Sequence, residues 1–165
     1  MVAPGTKLPD IKLFEGQPDY APATEHSLME LVKGKTVVLF AVPGAFTPSC
    51  SKAHLPSFIK HFDELKAAGV DHVICTATND PFVMAAWAQA SGVPPNTIHM
   101  LSDNTAELCR GLGVATESDV MVRSTRYALV AKDGVVTHFF PSEKDGEKCA
   151  QNTYADSVLG ALKSA

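Results

Sequence analysis

TVVLFAV, residues 36–42, followed at once by PGAFTPSC, residues 43–50, decides the architecture. The first stretch is rich in β-branched and apolar side chains and lies between Gly34 and Pro43-Gly44, so it reads as a buried strand. Beyond it, apolar residues fall at Leu55, Phe58, Ile59, Phe62 and Leu65. That is helical spacing, and Gly69 supplies the stop. Val70–Thr78, VDHVICTAT, reads as a second strand. Asn79-Asp80-Pro81 then offers a cap with proline at the first helical position, opening a helix to about Ser91 that Gly92 closes. Asp103 or Asn104 is read as the cap of a third helix reaching about Leu112. Tyr127–Lys132 and Val135–Phe140 flank Asp133-Gly134, the strongest hairpin signal in the chain. Ala155, Val158, Leu159 and Leu162 mark a last amphipathic helix. Upstream, Lys7–Phe14 and Gln17–Ala23 are candidates for short edge strands.

The order strand, helix, strand, helix, helix, hairpin, helix implies parallel pairing first and antiparallel pairing late. The expectation is an α/β protein with a mixed central β-sheet flanked by helices, formed as a single domain over residues 1–165. A chain of 165 residues with 45% apolar and 19% charged side chains can bury a substantial core, which excludes a disordered protein. A net charge of −4 argues against a nucleic-acid groove or an anionic membrane as partner. Apolar runs such as 37–42 are far shorter than the roughly 20 residues of a membrane helix. Met1-Val2-Ala3-Pro4-Gly5 does not read as a signal peptide, so a cytoplasmic location is expected.

Four cysteines, Cys50, Cys75, Cys109 and Cys149, are spread along the chain with no C-x-x-C pair. Neither a zinc ribbon, a thioredoxin-type dithiol nor a secreted disulfide framework is encoded, and neither a metal site nor a cofactor is expected. Cys50 stands apart because it falls at a strand-to-helix junction. Unpaired backbone N–H groups and the positive end of the helix dipole favour the thiolate there, and a fixed cation nearby would add to the effect. Thr47 is equally a plain N-cap, and Pro43 equally a strand terminator. His54, four residues after Cys50, has the spacing of a Cys–His pair or half a metal site. No matching second ligand pair accompanies it, and the other histidines read as surface or edge residues.

Pro43-x-x-x-Thr47-x-x-Cys50, within PGAFTPSCSKAHLP, resembles the peroxidatic-cysteine signature of peroxiredoxins, and the full string is most similar to their type-5 (type II) subfamily. VICTATNDPFVMAAWAQ and STRYALVAKDGVV extend the resemblance along most of the chain. It implies a thioredoxin-like fold and a thiol peroxidase acting on hydrogen peroxide and alkyl hydroperoxides without metal or haem. Cys50 would be the nucleophile that becomes a sulfenic acid, with Thr47 reaching the sulfur and the peroxide. Pro43 would shield the sulfur, and the Gly44 and Cys50 backbone N–H groups would face the substrate. Arg126 matches the family's arginine, which leaves Arg123 to a solvated surface. Cys75 is either the second cysteine of plant-like members or a core residue. Cys149 lies near the resolving position of animal-like members, Cys109 reads as structural, and the family uses no histidine base. Reduction would come from glutaredoxin and glutathione, or from thioredoxin if an internal disulfide forms. A homodimer touching through Phe46 and Pro48 is also implied. A thiol–disulfide oxidoreductase and a non-catalytic interaction module on the same fold are the competing readings.

Overall fold

The computed structural model describes residues 2–17, 19, 21–48, 50–117, 119–142 and 150–164. The decisive strand is β3 (Thr36–Ala41), and every residue of it after Thr36 is buried. Alternation explains why so continuous an apolar run is needed. Val38 and Phe40 enter one core, and Val37, Leu39 and Ala41 enter another on the opposite face. β3 pairs in parallel with β4 (His72–Ala77), which pairs in parallel with β5 (Ile98–Ser102). On its other side β3 pairs antiparallel with β8 (Tyr127–Lys132), which continues into β9 (Val135–Pro141). The hairpin between them turns on Asp133 (φ 49°) and Gly134 (φ 77°), both left-handed as a tight two-residue turn requires. β1 (Lys12–Glu15) and β2 (Thr24–Ser27) complete the seven-stranded order β2-β1-β5-β4-β3-β8-β9. A separate ribbon joins β6 (Ala115–Glu117) to β7 (Val122–Ser124).

The Val38 face is covered by α2 (Leu55–Lys60), α3 (Phe62–Ala67), α4 (Pro81–Ala90) and α6 (Ala155–Lys163), through Leu55, Phe58, Leu65, Trp87 and Val158. The opposite face receives α1 (Leu28–Val32) and α5 (Glu107–Gly111), through Leu28, Val32 and Leu108. Asp80 caps α4 as expected, its carboxylate accepting from the Val83 N–H at 2.9 Å.

Several expectations need correction. The helix expected from Leu55 to Leu65 is broken at His61 (φ −101°, ψ 13°), whose imidazole nitrogens face Glu64 and Asp156 at 2.8 Å each. The expected element order lacked β5. The third helix begins at Glu107, after Ala106 in the left-handed region, and is not capped directly by Asp103 or Asn104. Asp103 still serves it from a turn away, accepting the Leu108 and Cys109 N–H groups at 3.0 Å each. The second early strand lies at Thr24–Ser27, just beyond Gln17–Ala23.

Candidate active site

β3 ends where Val42 N–H still donates to the Thr76 carbonyl at 3.1 Å, and the chain then turns through Pro43–Pro48. Three bonds shape that turn. Ala45 N–H donates to Asn79 Oδ1 at 2.8 Å, the Thr47 hydroxyl donates to the Gly44 carbonyl at 2.6 Å, and Arg123 Nη1 donates to the Pro43 carbonyl at 2.9 Å. Phe46 sits in the left-handed region (φ 62°) and is 55% exposed. A π-helical turn, Cys50–His54, follows and leads into α2. Such widened turns are rare and concentrate at functional sites.

Cys50 is 0% exposed, so the sulfur has no direct path to water in this conformation. Its partner comes from the residue just before β8, the strand paired beside β3. Tyr127 pairs with Ala41 at the end of β3, which brings Arg126, one residue earlier, to the mouth of the π-helical turn. Arg126 Nη2 donates to Cys50 Sγ at 3.0 Å. A permanently charged fork at that distance favours negative charge on the sulfur. The other arm, Nη1, lies 2.9 Å from His54 Nδ1. Guanidinium cannot accept, so Nδ1 accepts and Nε2 carries the hydrogen, which it donates to the Thr153 carbonyl at 3.0 Å. His54 is buried among Phe40, Phe58 and Tyr154. Burial first, and the Arg126 charge second, push its pKa down to about 3, so it is neutral at physiological pH.

The structure thus brings Cys50, Thr47, Pro43, Gly44 and Arg126 to one place. Thr47 differs in detail, because its hydroxyl hydrogen is engaged by Gly44 and only the oxygen lone pairs remain to meet another group. Arg123, expected on a solvated surface, reaches the same turn. His54 is the residue that sequence reasoning underrated. It is the acceptor that holds Arg126, and among the described residues no cluster of three or more metal-binding side chains is found.

Two further thiols lie among the described residues. Cys75 faces the same core, on the central strand β4, and burial, then the Cys50 charge, raise its pKa well above the ordinary thiol value. Cys109 donates its S–H to the Ala106 carbonyl at 3.4 Å, and its pKa is pushed up to about 12, chiefly by burial. It is buried on α5, the helix where a structural thiol was expected. Cys149 lies outside the described residues.

Comparison with known proteins follows the same lines. The Redoxin family model matches residues 3–159. Peroxiredoxin-2E-2, chloroplastic, of Oryza sativa is 48% identical over 140 residues, covering 82% of this chain and 62% of the rice protein. Peroxiredoxin-2B of Arabidopsis thaliana is 40% identical and the match covers 98% of both chains. Among solved structures, reduced Prx3 of Vibrio vulnificus in complex with H2O2 superposes with a TM-score of 0.87 at 40% identity, covering 98% of this chain and 99% of that one.

Proposed function

The chain belongs to the redoxin family and, within it, to the peroxiredoxins, which are thiol peroxidases; from that premise we propose that Cys50 is the peroxidatic cysteine and that it reduces hydrogen peroxide and small alkyl hydroperoxides. The observation that carries this reading is the Arg126 guanidinium 3.0 Å from the Cys50 sulfur, with its other arm held by a neutral imidazole.

The Cys50 thiolate attacks the terminal peroxide oxygen, forming an S–O bond as the O–O bond breaks. The departing alkoxide or hydroxide takes a proton and leaves as alcohol or water, and Cys50 is left as the sulfenic acid. Arg126 opposes the negative charge first on sulfur and then on the leaving oxygen. Thr47, with its hydrogen already given to Gly44, accepts the peroxide O–H, while Pro43 and the Gly44 and Cys50 N–H groups line the pocket. Cys50 is buried beneath a turn whose Phe46 and Pro48 are exposed.

An external thiol then forms a mixed disulfide with release of water, and a second thiol regenerates Cys50. Glutathione with glutaredoxin fits this sequence, since Cys75 is held in the core and a protonated thiol attacks poorly. One observation favours a thioredoxin-dependent alternative through a Cys50–Cys75 disulfide: both sulfurs belong to the same buried cluster. The reading takes residues 1–165 as one thioredoxin-like domain. It also includes a homodimer through the exposed turn, supported by the exposure of Phe46, and a cytoplasmic location. No helix among the described residues is long and apolar enough to cross a membrane.

Stopped-flow oxidation of the reduced protein tests the assignment. Rapid peroxide consumption should vanish in Cys50→Ser; turnover that survives in that variant refutes it. Mass spectrometry of the same reaction without added thiol should show a sulfenic acid on Cys50, and a Cys50–Cys75 or Cys50–Cys149 bridge would instead establish an internal resolving thiol.

A further inference from the structure

Resting on Cys50 as the nucleophile, we propose that Ser57 is a positioning residue for the peroxide reaction, one whose hydroxyl fastens the C-terminal segment to α2 and so holds the His54 imidazole against Arg126. The first links are those of the site itself, Arg126 Nη2 to Cys50 Sγ at 3.0 Å and Arg126 Nη1 to His54 Nδ1 at 2.9 Å. His54 in turn donates from Nε2 to the Thr153 carbonyl at 3.0 Å, so the imidazole keeps its place only while that carbonyl does. Two residues further on, Ala155 N–H donates to Ser57 Oγ at 3.2 Å. Ser57 gives its own hydrogen to the His54 carbonyl at 2.8 Å.

These bonds close a ring that leaves His54 through the imidazole, crosses to Thr153, follows the chain to Ala155 and returns through Ser57 to the His54 backbone. A hydroxyl donates and accepts at once, which is what the middle of such a ring demands. Ala155 opens α6, where the first N–H groups have no partner within the helix, and Tyr154 before it makes no side-chain cap bond. Ser57 supplies that cap from another helix. His54, Ser57 and His61 follow one another at intervals of three and four residues, so they face the segment together, and His61 Nε2 lies 2.8 Å from Asp156 Oδ1. The Asp156 side chain is 78% exposed, so that outer contact holds weakly. Ser57, half-buried between the other two, is the anchor that keeps Thr153 from sliding along α2 and drawing the imidazole away from Arg126.

A double-mutant cycle separates this role from a merely structural one. Ser57→Ala should lower the second-order rate constant for hydrogen peroxide roughly 10-fold, less than the loss of Arg126 itself, because the guanidinium is displaced and not removed. Ser57→Thr keeps a hydroxyl able to bond the carbonyl three residues back and should stay within about threefold of wild type. In an Arg126→Met background the same Ser57→Ala change should alter the rate by less than about twofold, since nothing is left for His54 to position. Ala155→Pro deletes the N–H at the first helical position, where proline is accepted. It should reproduce the Ser57→Ala loss, and it serves if Ser57→Ala does not fold. An unchanged rate in Ser57→Ala, an equal loss in Ser57→Thr, or the same loss repeated on Arg126→Met overturns the proposal. Peroxide consumption that survives in Cys50→Ser would instead locate the failure in the nucleophile assignment.

Discussion

His54 shows how a residue can matter without touching substrate. It presents one ring nitrogen to Arg126 and the other to Thr153, so it transmits the position of the segment before α6 to the guanidinium that faces Cys50. Replacing it with Leu would take the acceptor away from a half-buried Arg126 N–H, at about 1–3 kcal/mol. His54→Gln keeps an acceptor and a donor and should lose less activity than His54→Leu. Because the imidazole stays neutral down to about pH 3, the activity profiles of wild type and His54→Gln should have the same shape between pH 5 and 8. Stability behaves differently. A histidine whose pKa is lower folded than unfolded contributes fully above its unfolded value near 6.5 and loses that contribution as pH falls toward 3. Urea unfolding should therefore show wild-type stability declining over that window, and the decline should be shallower in His54→Gln; identical slopes would mean that the imidazole is not buried as described.

At the scale of elements, the β8–β9 hairpin turns on a conformation that side chains resist. Gly134 at φ 77° makes Gly134→Ala cost about 1 kcal/mol, although the added methyl would meet only Val32 and Met29 at ordinary contact distance. Urea denaturation checks this, and an unchanged midpoint would show that the turn relaxes. That hairpin was legible because Asp133-Gly134 lies between two apolar runs, and α4 because Asp80-Pro81 carries both cap and start signals. β5 was not. Ile98-His-Met-Leu-Ser102 has no β-branched run, and its strand character comes from pairing with β4 and β1 on either side. The β6–β7 ribbon, with strands of three residues each, is too short for any periodicity to register. The break at His61 was hidden because Leu55 through Leu65 keeps one helical apolar stripe across it.

Across the whole molecule, the site is assembled from segments that only the sheet brings together. Cys50 and Thr47 were legible because their spacing is local, and Arg126 because its surroundings repeat a recognisable string. The links of Arg126 to His54 and of His54 to Thr153 span 72 and 99 residues, and no local pattern encodes them. The same arrangement concentrates the chemistry in one fork that touches both sulfur and imidazole. A lysine in its place would put a single point charge where two directed donors are needed, so Arg126→Lys should recover only part of what Arg126→Met loses. Rapid-mixing measurement of peroxide oxidation of Cys50 in wild type and Arg126→Met is the most direct trial of this account. A fall in the second-order rate constant on the order of 100- to 1000-fold, with the fold intact by circular dichroism, is predicted, and a rate within about twofold of wild type would contradict it.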